Sequence, residues 1–254
     1  MKKRHLVYAI ALIVGMGACA ASAKKQAEAK PDVWKSYNVG TVLFEDKASE
    51  TKGSDIYHRI IPDAESYIKE QARTVLATLY NSPEDSITPV NKIHYTLEDI
   101  EGISAKGGGN GDVTIFYSTR HIEKSFAKND TAKLFFETRG VLLHELTHAY
   151  QLEPQGIGSY GTNRVFWAFI EGMADAVRVA NGGFDGPNAR PKGGNYMDGY
   201  RTAGYFFVWL RDNKDPEFLR KFNRSTLEVI PWSFDGAIKH ILGTEYSIAE
   251  LWHE

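Results

Sequence analysis

Apolar positions recur along this chain with two different periods. Between Asp63 and Tyr80, Ile68, Ala72, Val75, Leu76 and Leu79 share one helical face. Pro62 and Asp63 mark the start of that helix. Leu134, Phe135, Leu142, Leu143, Leu146, Ala149 and Leu152 keep near-helical spacing, and so do Val165, Phe169, Met173, Ala176 and Ala180. Gly182-Gly183 ends the latter helix. Shorter β-rich runs, Asn38 to Phe44, Lys92 to Leu97 and Val113 to Ser118, read as strands. Gly107 to Gly111 reads as a turn or a flexible hairpin connection; it lacks the Lys-Ser/Thr that a phosphate-binding loop requires. Asn181 to Asp198 is a Gly-, Asn- and Pro-rich loop, placed as a cleft rim. Further helices are expected over Tyr200 to Leu210, Pro216 to Phe222, Phe234 to Leu242 and Ile248 to Trp252, with Tyr205, Phe206, Phe207 and Trp209 in the core. The expected class is α+β: a small mixed sheet packed on one central helix, then a mainly helical C-terminal part.

The central helix carries His144-Glu145-Leu146-Thr147-His148. Residues four apart lie on one helical face, so both imidazoles reach a single metal ion. Glu145 stands one step round, beside the attacking water. This is the residue set of zinc hydrolases: two histidines hold the ion and the glutamate takes a proton. A catalytic zinc site needs a third protein ligand and an open position. The next helix offers a polar stripe of Glu171, Asp175 and Arg178 at spacings of four and three. Glu171 is read as the third ligand. Asp175 then accepts the free N–H of a ligand histidine. Arg178 pairs with Asp175 or with a substrate carboxylate. The competing reading is a solvated stripe held by an Asp175–Arg178 ion pair. His58, His94, His121, His240 and His253 have no partner at ligand spacing and read as surface or hydrogen-bonded histidines.

Gly140 to Gln151 and Phe169 to Arg178 resemble the basic secretory protein family, zinc peptidases of plants and bacteria. The resemblance extends forward over Tyr200 to Leu210 and back to Asp112 to Arg120. It implies a zincin-like metallopeptidase domain of the glutamate-ligand type. It also implies that the strand before the motif helix borders the cleft and pairs with an extended substrate. Tyr200 matches a family tyrosine at the start of the later helix. That makes it the first candidate to stabilise the oxyanion, ahead of Tyr205 and His240. The expected activity is zinc-dependent peptide hydrolysis by a metal-activated water, with Glu145 as general base. The alternatives are a zinc hydrolase of cell-wall or glycoprotein substrates and a non-catalytic, zinc-supported binding protein.

The 254 residues suit a single catalytic domain, placed at 35–254. The formal charge is −2, with no basic cluster outside the N-terminus, so a nucleic-acid partner is not expected. The expected partner is a peptide or protein substrate, met by a monomer. Lys2, Lys3 and Arg4 precede an apolar run from Leu6 to Ala18, too short to span a membrane and read as a signal peptide over 1–18. Removing those three cations takes the charge from −2 to about −5. Residues 19–34 read as a tether. Cys19, the one cysteine, closes a lipoprotein-like Met16-Gly17-Ala18-Cys19; Ala21-Ser22-Ala23 offers ordinary cleavage instead. Either processing exports the protein, as a periplasmic or outer-surface lipoprotein or as a secreted domain. A lipid anchor is the only membrane contact expected. The mature domain has no disulfide to stabilise it.

Overall fold

The computed structural model describes residues 32–186 and 189–254. Cys19, the apolar run before it and residues 19–31 of the proposed tether lie outside the described residues. Trp34, at the tether's expected end, is already buried and meets Tyr37 edge-on.

Four strands form one sheet: β1 (Thr41–Asp46), β2 (Lys92–Glu98), β3 (Ser104–Gly109) and β4 (Asp112–Ser118), in the order β1-β2-β4-β3. β1, β2 and β4 run parallel, and β3 is antiparallel to β4. A strand points alternate side chains to one face. Accordingly Ile93, Tyr95 and Leu97 sit in register with Val113, Ile115 and Tyr117, and all six are buried. α1 (Lys52–Ile60) and α2 (Ala64–Leu79) connect β1 to β2. The Asp63 side chain caps α2 by accepting from Ser66 N–H. Ile68, Ala72, Val75, Leu76 and Leu79 of α2 are buried, as their spacing requires.

After α3 (Thr119–Ser125), the motif helix α4 runs Thr131–Tyr150, capped by Asp130. α5 (Arg164–Ala180) follows, capped by Asn163, whose side chain accepts from the N–H groups of Val165 and Phe166. α6 (Tyr200–Asn213), α7 (Phe218–Glu228), α8 (Phe234–Leu242) and α9 (Ile248–His253) complete the helical part. A ring cluster seats α5 from behind. Phe169 meets Trp232 at 4.7 Å and Phe222 at 5.2 Å between centroids, and Phe207 meets Phe222 at 5.0 Å. Such edge-on pairs strengthen packing beyond area burial. With Phe169 fixed there, Glu171 two residues on faces the opposite way, towards α4.

Two sequence expectations change. Gly107–Gly109 is strand, not turn. Three glycines carry no side-chain alternation for a period to reveal, yet Gly107 pairs opposite Thr114, where an added Cβ would stand 2.9 Å from Oγ1. The turn itself is Asn110-Gly111, with φ of 53° and 84°, the double positive φ that a two-residue hairpin demands. Secondly, β4 cannot offer an open edge to substrate, because β2 and β3 pair on its two sides. β3, like β1, is an outer strand, and it borders the cleft described next.

Candidate metal centre

α4 and α5 face each other across a cleft of about 940 Å³, walled on the third side by Ile103 to Lys106. His144 and His148 stand one turn apart on α4, their ring planes at 88°. Their Nε2 atoms are 3.1 Å apart. Glu171 Oε2 from α5 lies 3.4 Å from His144 Nε2 and 3.7 Å from His148 Nε2. Zinc bonds of about 2.0–2.1 Å at tetrahedral angles separate donor atoms by about 3.4 Å. The three donors therefore already sit at the spacing one ion requires. Glu171 Oε2 is also buried with no hydrogen-bond partner, a state that a cation would relieve. Among the described residues, His144, His148 and Glu171 are the one such cluster found.

The surrounding groups fix these donors. Asp175, 3 % exposed, meets His144 Nδ1 at 2.7 Å. A carboxylate there favours a proton on Nδ1, and Nε2 is the ring nitrogen turned to Glu171. His148 Nδ1 is 2.9 Å from the Gln151 side-chain amide. Tyr160 donates its hydroxyl to Glu171 Oε1 at 2.5 Å, leaving Oε2 pointed at the histidines. Burial opposes the charge on His144, but Asp175 and Glu171 outweigh it and raise its pKa. Burial and the facing His144 charge push His148 down. Burial pushes the Glu171 carboxyl up, yet His144, His148 and Tyr160 together hold it below its ordinary value.

Glu145 is 6 % exposed and lines the cleft. Burial raises its pKa, while the His144 charge, then the Ser104 hydroxyl and the Lys106 N–H of β3, partly counter that shift. A carboxyl made more basic in this way suits proton abstraction near neutral pH. Tyr200 stacks on His144 with centroids 6.1 Å apart and ring planes 13° apart. Gly199 allows this approach: its φ is 65°, and a Cβ there would stand 2.8 Å from the Trp167 ring. Burial, then the carboxylates of Glu171, Asp175 and Glu145, raise the Tyr200 pKa, so its hydroxyl keeps its proton.

Other candidates separate from this group. Tyr205 donates to the Phe184 carbonyl, and His240 pairs with Glu228 at 3.0 Å; neither lines the cleft. His58, His94 and His121 meet Asp46, Glu45 and Glu137. Arg178 does not pair with Asp175. Its Nη2 donates to Glu137 Oε2 at 2.7 Å, because His144 occupies the Asp175 carboxylate and Gly140 leaves room for the guanidinium to cross α4. The sequence reading missed Tyr160 and Glu137. Tyr160 lies in an irregular loop with no period; its one signal is position, between the two helices that carry the candidate donors.

No curated protein and no solved structure matches the chain. The sequence pattern of the BSP family, described as "Peptidase of plants and bacteria", matches residues 39–254. That span holds every residue of the candidate centre and most of the chain, so the protein belongs to this peptidase family.

Proposed function

We propose that this protein is an exported, zinc-dependent peptidase. The carrying observation is the convergence of His144, His148 and Glu171 Oε2 at ligand spacing, with Glu145 buried beside them. Two imidazoles and one carboxylate are a donor set suited to zinc with an open position. The ion, when bound, lowers the pKa of a water and polarises the scissile carbonyl. Glu145 takes the proton from the attacking water and returns one to the leaving amine. Asp175 keeps His144 in its binding tautomer, and Tyr160 keeps Glu171 turned inward. Tyr200, stacked on His144 with its pKa raised, supplies the donor for the developing oxyanion. The outer edge of β3 offers backbone groups to an extended peptide. A pure binding module would need the three ligands but not Glu145. Export follows from the Lys2-Lys3-Arg4 and Leu6 to Ala18 pattern, with lipid attachment at Cys19.

Elemental analysis tests the ligand set. The wild type should hold one equivalent of zinc and His148→Ala little. A His148→Ala protein retaining a full equivalent would overturn the assignment.

A further inference from the structure

The cleft runs past His144 to a second charged centre that hydrolysis at the metal does not use. Arg178 lies there, 5 % exposed, one turn beyond Asp175 on α5. The Phe184 ring centroid is 3.8 Å from its Cζ. The guanidinium also presses on α4 at Gly140, where a Cβ would stand 2.4 Å from Nε. Nη2 is bound to Glu137. Nε is buried with no partner, whereas Nη1 is unpartnered among the described residues without being sealed off. Arg201, exposed on the first turn of α6, also lines the cleft; its Cζ is 5.2 Å from the same Phe184 ring. It makes no ion pair among the described residues.

Desolvating a guanidinium is costly unless its donors are matched. Glu137 Oε2 matches one donor of the Arg178 fork, and its other oxygen meets His121 Nε2, 3.2 Å away. Burial pushes the Glu137 carboxyl up, but the bonds to His121 and Arg178 outweigh it, so Glu137 stays ionised. Nη1 of Arg178 and the Arg201 guanidinium are thus left without a carboxylate partner among the described residues. An Arg178–Glu137 strut between helices would need neither a donor left open to the cleft nor a second arginine over the same ring. A carboxylate, planar and accepting at two oxygens, fits what is left.

We propose that Arg178 and Arg201 form a subsite for a substrate carboxylate. Gly140 precedes His144 by one turn, which at about 1.5 Å per residue is roughly 6 Å along α4. An extended peptide covers that distance in one or two residues. The carboxylate therefore belongs to the residue one or two places from the scissile bond, on the side beyond His144. It is either an acidic side chain or the peptide's own C-terminus. The proposal deepens the peptidase reading and rests on it for the position of the bond.

The test is an equilibrium titration of the full metal-loaded protein with three probes. N-acetylglutamate α-amide offers only a side-chain carboxylate, N-acetylglutamine only a main-chain one, and N-acetylglutamine α-amide none. At least one acid should bind about tenfold or more tightly than the neutral probe, the worth of a charge-assisted pair. Whichever acid binds identifies the source. Arg201→Ala, a surface change, should weaken that preference several-fold, and Arg178→Lys should weaken it further while zinc content stays the same. Equal binding of all three probes would overturn the subsite. So would an acid preference unchanged in both variants, since the acid would then sit on the metal. The titration reads no turnover, so a protein that binds acids through both arginines yet cleaves no peptide would refute the peptidase reading alone.

Discussion

Asp175→Asn isolates what the carboxylate beside His144 contributes. The substitution keeps shape and one acceptor oxygen but removes the charge. Both partners are secluded, with side chains 14 % and 5 % exposed, and their contact is 2.7 Å. Hydrogen bonds to a charged group contribute about 1.5–3 kcal/mol, against about 0.5–1.5 for neutral ones. The charge therefore accounts for about 1–1.5 kcal/mol, or roughly a tenfold weakening of zinc binding. Asp175→Ala, which also frees the imidazole to change tautomer, should approach a loss of about 100-fold, as removal of such partners does. The Kd is read by competition against a chromophoric chelator, with thermal unfolding of the metal-free variants as the control for packing. Gly204 of α6 lies so close that its Cβ would stand 2.9 Å from that of Asp175, so Ala could loosen the α5–α6 contact, whereas Asn preserves it. An unchanged Kd in Asp175→Asn and Asp175→Ala would refute the tautomer-fixing role.

Tyr160→Phe removes the hydroxyl that holds Glu171 Oε1. Because Tyr160 is 45 % exposed, the loss should be about 1 kcal/mol, a roughly fivefold weaker zinc Kd with unchanged thermal stability. A slower turnover at unchanged zinc affinity would instead place that hydroxyl on the substrate. Cys19→Ser should move the protein from the membrane to the soluble fraction; a wild-type intact mass beginning at Lys24 would establish ordinary cleavage instead.

The chemistry of the centre was more legible in the sequence than its walls. His144 and His148 at a spacing of four, and Glu171 and Asp175 at another spacing of four, are local facts of helix geometry, so reading the helices placed them in pairs. Their mutual approach needed α4 and α5 to face each other, which the polar stripe within an apolar helix signalled. Arg178 misled for the same reason that Asp175 did not. Its sequence neighbour on the stripe was already engaged by His144, and its actual partner, Glu137, lies on the other helix. β3 was hidden because Gly107 to Gly109 express no alternation, and its strand character comes only from backbone pairing with β4. The family resemblance assigned the cleft edge to β4, which is interior. Tyr160 reaches Glu171 from a loop whose conformation no period encodes.

The central claim is that His144, His148 and Glu171 hold zinc while Glu145 performs the proton transfers. The most direct test compares turnover of a peptide mixture by wild type and Glu145→Gln, each assayed at one measured equivalent of zinc. Gln keeps the shape and leaves the three ligands intact, so folding and metal content should match wild type. Hydrolysis should fall by at least about 10²–10⁴, the contribution of a general base, and by more because the same group serves the leaving amine. Undiminished hydrolysis by the zinc-loaded Glu145→Gln protein would contradict the account.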